Sequence, residues 1–169
     1  LKDDFSNGAP SSLWSQVLGA SITNTFKGRS QSLDFRGNTT RSATTRTIDT
    51  SKNNELSFDL IYGNSSNGGE RVDNGDEVVL EYSNNGSNWQ LIRKFALTEA
   101  QSWKSFKIAL PTAAQSNNSQ LRWRQLNHFG ARYDHWAIDN VEFDSISAPG
   151  ALKDDFSNGA PSSLWSQVL

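Results

Sequence analysis

The 169-residue chain contains neither cysteine nor methionine. Without thiols there is no disulfide framework, no cysteine nucleophile and no thiolate metal site, which removes several classes of secreted scaffold and enzyme at once. Lacking an initiating methionine, the chain reads as an excerpt of something longer. No apolar run approaches the roughly 18 residues that a membrane span needs, and no basic start leads into an apolar signal core. Positive charge is also scarce: 16 Lys and Arg stand against 18 Asp and Glu, for a net charge of −2. The cations are scattered, so nothing neutralises a row of phosphates, and nucleic acid is not an expected partner. Helical periodicity is missing as well. No stretch spaces its apolar residues at i, i+3, i+4 and i+7, and residues 96–101 offer at most a short turn.

What is present is a duplication. The first 18 residues, LKDDFSNGAPSSLWSQVL, return unchanged as residues 152–169, a period of 152 − 1 = 151 residues. A period of that size matches an independent domain, not a solenoid unit that must stack to bury its core. The expected organisation is one domain at 1–146, a Pro-Gly-containing joint at 147–151, and the start of an identical repeat at 152–169. An identical segment also carries identical complementarity. Residues 152–169 therefore either open the next bead or fill the first-strand slot of another copy, head to tail, by strand exchange.

Short runs with period-2 alternation dominate the remainder. Leu56, Phe58, Leu60 and Tyr62 alternate with Ser57 and Asp59; Val78, Leu80 and Tyr82 oppose Glu81; Phe106, Ile108 and Leu110 run up to Pro111; Leu121 and Trp123 alternate with Arg122 and Arg124. Asn84-Asn85-Gly86 suits a hairpin turn, with residues 89–95 returning. Residues 136–143 are nearly apolar on both faces, as a central strand under a second sheet must be. Residues 31–35 and 44–48 add two more strands. Eight or nine short strands without an amphipathic helix predict an all-β, two-sheet antiparallel β-sandwich of jelly-roll type.

The order of motifs is itself informative: Asp3-Asp4-Phe5 and Trp14, then SLDF at 32–35, LSFDL at 56–60, VLEYSNNGSNW at 79–89, LRWRQ at 121–125 and DHWAIDNVEF at 134–143. Together these resemble the subrepeat of reelin-type repeats over nearly all of residues 1–143. The resemblance implies an extracellular, tandemly arranged jelly roll with calcium as structural support. Members usually carry cysteines and pair around an epidermal-growth-factor-like insert. This chain has neither feature, which favours a plain array such as a microbial surface fibre or adhesin stalk.

Calcium takes six to eight oxygens, and Asp139 is the leading candidate because it interrupts an otherwise apolar strand, where a carboxylate must be paired, hydrogen-bonded or metal-bound. The resemblance adds a first-strand acid, Asp4 or Asp3, with Asp154 and Asp155 as their duplicates. The alternative is an ion pair from Asp139 to Arg46 or Arg36. Asp73 and Asp76 flank Asn74-Gly75 in a second acidic loop that is equally well read as a solvated turn. His128 and His135 belong to a loop without a nucleophile turn or a zinc-binding helix motif. Glu142 and Asp144 share a strand face, without the further carboxylate that a glycosidase on such a sandwich would display. Trp14, Trp123 and Trp136 are expected in the core, whereas Trp89 and Trp103 lie near strand ends, where a ring can stack on a sugar. The expectation is a non-enzymatic, calcium-supported structural repeat outside the cell, with neighbouring copies of itself as partners. A carbohydrate-binding module displayed in tandem is the alternative, with glycans as ligands.

Overall fold

The computed structural model describes residues 1–52 and 54–144. The joint at 147–151 and the second copy at 152–169, with Asp154 and Asp155, lie outside the described residues. Eleven strands are formed among those described: β1 (Lys2–Asp3), β2 (Trp14–Leu18), β3 (Ala20–Thr23), β4 (Ser32–Phe35), β5 (Ser42–Thr45), β6 (Glu55–Tyr62), β7 (Val78–Ser83), β8 (Gln90–Lys94), β9 (Lys104–Ala109), β10 (Gln120–Gln125) and β11 (Trp136–Asp144). Among the described residues, the helical pieces are single 3-10 turns at Leu97–Glu99 and Thr112–Ala114. One sheet runs β3-β4-β11-β6-β9 with β1 also on β11; the other runs β2-β5-β10-β7-β8. Every strand pair is antiparallel.

The nearly apolar run at 136–143 is indeed the centre of its sheet. β6 pairs along one side of β11, while β4 takes Trp136–Ile138 and β1 takes Val141 and Glu142 on the other. Between them the register shifts at Asp139/Glu142, and Asn140 adopts a left-handed φ of 50°. That bulge lets Trp136, Ile138, Val141 and Phe143 all join the core despite the odd step between 138 and 141. Across the sandwich, Trp123 packs edge-on against Phe58 at 5.3 Å, and within the first sheet Phe35 stacks on its cross-strand neighbour Trp136 at 3.7 Å. The Tyr62 hydroxyl bridges the layers, donating to Phe95 O and accepting from Val78 N, each at 2.9 Å.

Two strands escape the alternation pattern. β2 and β3 are edge strands whose residues are mostly half-buried or exposed, so neither face reads as dry. Gly19 alone links them. Its φ is +64°, and a Cβ there would stand 2.7 Å from Thr40 O, so the chain crosses between the sheets only on glycine. The strand expected at 44–48 starts and stops earlier, as β5, and Ile48 beyond it makes an isolated bridge to Ser119. The hairpin around Asn84-Asn85-Gly86 exists, but as a longer loop. Asn85 Oδ1 accepts from Ser87 N at 2.9 Å and Asn88 N at 2.8 Å, and only Gly86 has a positive φ. Trp123 and Trp136 are fully buried; Trp14 packs on the core from a partly exposed position.

Candidate functional site

Asp139 sits on the outer face of the first sheet, directly opposite Asp59 of β6. Two adjacent buried carboxylates repel unless a cation answers them, and here the cation is Arg29, from the loop between β3 and β4. Its Nη2 lies 2.5 Å from Asp59 Oδ2 and its Nε 3.0 Å from Asp139 Oδ2. The latter contact is an ion pair without hydrogen-bond alignment. The partner of Asp139 is thus Arg29, not the expected Arg46 or Arg36; the Arg36 guanidinium lies beside Asp34 and donates to Gly68 O instead. Ser105 Oγ donates to Asp59 Oδ1 at 2.5 Å and Asn140 Nδ2 to Asp59 Oδ2 at 2.8 Å. Burial pushes the Asp139 carboxyl up to about 6. The Asn140 N–H and Arg29 oppose the rise, while the carboxylates of Asp59 and Asp4 add to it.

The two first-strand acids play separate parts. Asp3 is buried, and both of its oxygens are used: Oδ1 accepts from Phe5 N at 2.9 Å, and Oδ2 from Ser11 N and Trp14 Nε1, each at 2.8 Å. Phe5, with a φ of 53°, is held in the left-handed region by this clasp. Asp4 points outward, and its hydrogen bonds from Ser6 hold its carboxyl below the usual range.

The loop acids are arranged differently. Asp73 is exposed and donates its N–H to Asp134 Oδ1 at 3.1 Å. Asp76 is 3% exposed, and its Oδ2 has no hydrogen-bond partner. Burial raises its carboxyl, and the facing Asp134 raises it further. Asp134 is itself buried, with φ +58°, and accepts from Phe129 N at 3.0 Å. Behind this cluster Arg41, 1% exposed, donates to the carbonyls of Gly37, Gly130, Tyr133 and Asp134 and to Gln125 Oε1. Among the described residues, no group of three or more His, Cys, Asp or Glu side chains gathers in a metal-holding arrangement.

Both histidines are structural partners of the loop. His135 Nδ1 accepts from Glu70 N at 3.0 Å, so its proton resides on Nε2 and is given to Ala131 O at 2.9 Å. Burial lowers its pKa and keeps it neutral. His128 contacts Thr39 O at 2.9 Å and accepts from Gly130 N at 3.0 Å. The two candidate tryptophans each have one ring face taken. Arg122 lies 4.0 Å over Trp89, and Trp103 meets Phe26 edge-on at 6.2 Å with Arg29 5.0 Å from its ring. With Phe26, Ile61 and Ala137, Trp103 closes a small second apolar cluster outside the main core. Arg122 is in turn paired to Glu81 at 2.7 Å, as is Arg124.

Sequence reasoning missed a different aromatic pair. Phe129 and Tyr133 are 71% and 50% exposed, on the loop whose stem, Leu126 to His128, lines a cleft of about 400 Å³ with Asn38, Thr39 and Arg124. The signal was available only as two aromatics in a Gly-containing loop without alternation.

A family model described as Reelin subrepeat B matches residues 19–144. Among solved structures, the K3 cleaved adhesin domain of Lys-gingipain from Porphyromonas gingivalis w83 is similar at 17% identity and a TM-score of 0.54, covering 83% of this chain and 95% of that one. TmCBM61, solved in complex with β-1,4-galactotriose, is similar at 13% identity and a TM-score of 0.54, with 85% and 94% covered. The CBM22-1 xylan-binding domain of Xyn10C from Paenibacillus barcinonensis is similar at 11% identity and a TM-score of 0.54, with 87% and 95% covered. At such identities the likeness is one of fold: a two-sheet antiparallel β-sandwich.

Proposed function

Because the chain belongs to the reelin subrepeat B family, we propose that it is a non-enzymatic module of an extracellular surface fibre or adhesin stalk, strung head to tail and supported by calcium. The observation that carries this reading is the unbroken 18-residue duplication one 151-residue period apart, around a domain that buries its own core. Commitment of both histidines to loop hydrogen bonds supports a non-catalytic role. Chains of two, four and eight tandem copies should scatter X-rays as rods whose length grows in proportion to copy number. Compact particles, or flanking DNA without a further copy, would overturn the fibre.

Calcium support rests on the donor chemistry around Asp139. The carboxylates of Asp59 and Asp4 both act on Asp139, and Arg29 is the counter-charge placed between Asp139 and Asp59. Asp139 and Asp4 would hold the ion, Asp3 being spent on its three N–H groups, and a calcium ion would complete its shell from backbone carbonyls and water. Chelation should lower the melting temperature by several degrees, and Asp139→Ala should abolish that response. A melt indifferent to chelator sinks the calcium reading.

A second reading, glycan binding, is favoured by Phe129 and Tyr133, exposed beside a cleft lined by amides and hydroxyls. Sugars dock on such surfaces through ring stacking and amide hydrogen bonds, and two of the similar folds are carbohydrate-binding modules. Saturable signals on a glycan array, lost in Phe129→Ala and Tyr133→Ala but retained in Trp89→Ala, would establish it. Silence across the array would retire it.

A further inference from the structure

Four Asn-Gly steps fall among the described residues: Asn7-Gly8, Asn67-Gly68, Asn74-Gly75 and Asn85-Gly86. This dipeptide carries a chemistry of its own, because a glycine nitrogen has no Cβ beside it and approaches the preceding side chain more freely than any other residue's. The glycine nitrogen attacks Asn Cγ and forms an N–C bond; ammonia leaves, taking the glycine amide proton, and water then opens the five-membered succinimide at either carbonyl. The products are aspartate and isoaspartate. In a folded chain the reaction is held back by hydrogen bonds that fix the asparagine amide, or by one that occupies the glycine N–H.

Three of the four steps carry such a restraint. Asn67 is half-buried and bonded at both ends: Oδ1 accepts from Asn64 N at 3.0 Å and Gly69 N at 3.1 Å, while Nδ2 donates to Tyr62 O at 2.7 Å. Asn85 is exposed, but its Oδ1 accepts from Ser83 Oγ at 3.1 Å, Ser87 N at 2.9 Å and Asn88 N at 2.8 Å. At Asn7 the side chain is exposed and the restraint is on the nucleophile, since Gly8 N donates to Phe5 O at 3.1 Å.

Asn74-Gly75 has neither restraint. Both residues are exposed, in the middle of a turn closed by Asp76 N donating to Asp73 O at 3.1 Å, and neither the Asn74 side chain nor Gly75 N bonds to a described residue. Space around Gly75 is open: a Cβ built there would meet nothing within 4 Å, so water has access. We propose that Asn74 is a spontaneous modification site, converting to aspartate and isoaspartate in the folded protein while the other three asparagines persist. The position gives the change a consequence. Asp73 N is a donor to the buried Asp134, and Asp76, 3% exposed, stands against the same carboxylate. Isoaspartate routes the main chain through its own Cβ and adds one backbone carbon between Asp73 and Asp76, which opens the turn and draws the Asp73 N–H away from Asp134. Aspartate keeps the main chain and adds a charge between two acids. Either product loosens the loop end, and neither reverts unaided. The proposal rests on neither the fibre nor the calcium reading.

The test ages the full 169-residue chain at mildly alkaline pH, folded and in urea, and follows each asparagine by peptide mass mapping. A hydrogen bond that must break first slows the step by about tenfold. In the folded protein Asn74 should therefore convert about ten times faster than Asn7, and faster still than Asn85 and Asn67. In urea, where no restraint survives, the four rates should converge. If Asn67 or Asn85 keeps pace with Asn74 in the folded chain, or if Asn74 persists there while converting in urea, the proposal falls. A second measurement reads the consequence. Asn74→Gln would have to close a ring one atom larger, so this variant should keep its denaturant midpoint on ageing while that of the parent drifts down. An equal drift in both would overturn the turn as the place where ageing loosens the fold.

Discussion

Two buried acidic groups face each other's example across this molecule. In the middle of β11, Asp139 and Asp59 are answered by Arg29, a loop side chain 31% exposed that reaches in from outside. At the loop end, Asp134 is answered by the backbone N–H groups of Asp73 and Phe129, the facing Asp76 keeps one oxygen unpartnered, and Arg41, 1% exposed, spends its donors on carbonyls behind them. Equal chemistry is neutralised in opposite ways. A counter-charge on an outer loop is exchangeable, so that site is where a metal ion could compete; a counter-charge locked into five hydrogen bonds is scaffold, and it ties the loops of 36–41 and 126–135 to the sheets.

The comparison breaks first at Arg41. Arg41→Met should cost about 3–5 kcal/mol in urea unfolding, because it orphans several buried carbonyls together. A loss under about 1 kcal/mol would show that the loop end is not scaffold.

The next largest effect is at Asp139. Its carboxyl is raised to about 6 from an ordinary 3.8, so the folded protein keeps a proton that the unfolded chain has released. That stability is complete below about pH 4 and is lost as pH rises through 6, to the extent of about 2–3 kcal/mol. In chelator, Asp139→Asn should therefore be the more stable protein at pH 8 and equal to the parent at pH 4. Saturating calcium should reverse the order at pH 8. Arg29→Gln should destabilise by about 1–2 kcal/mol at pH 7 and progressively less towards pH 5, as Asp139 takes up its proton. An equal loss at both pH values would remove Arg29 as its counter-charge.

Asp76 sharpens the contrast more gently. Asp76→Asn supplies an amide donor to the facing Asp134 and removes a raised carboxyl, so it should stabilise by about 1 kcal/mol at pH 7 and not at pH 3. A destabilised variant would mean that the unpartnered oxygen has an occupant. Smallest of all, Arg122→Ala uncovers one face of Trp89 while Glu81 keeps Arg124. Stability should change by less than about 1 kcal/mol, and tryptophan emission should move to the red. Unchanged emission would mean that the ring is already solvated.

Alternation along single strands carried most of the architecture. Leu56 to Tyr62, Val78 to Tyr82 and Phe106 to Leu110 announce which face is dry, because a strand with one buried face must change polarity at every residue. β2 and β3 were illegible for the converse reason: as edge strands they bury little, and nothing in their order distinguishes them from loop. Asp139 was legible as an acid breaking an apolar run. Its companions were not, since Asp59 reads as an ordinary solvent-facing residue of β6, and Arg29 as one more charge in a loop. Arg41 gave no signal at all. An arginine between Thr40 and Ser42 is typical of a surface turn, and only the approach of the distant loop that carries the Gly130, Tyr133 and Asp134 carbonyls makes it interior.

Sequence by itself determined that this is a disulfide-free, strand-built unit with its opening 18 residues repeated, because composition, period-2 patterning and exact recurrence are local properties of the chain. Tertiary structure alone decided which acids meet, which cations answer them, and that the slot for the opening segment begins where β11 ends. Those are matters of strand order and register, in which residues more than a hundred positions apart become neighbours, and no local pattern records them.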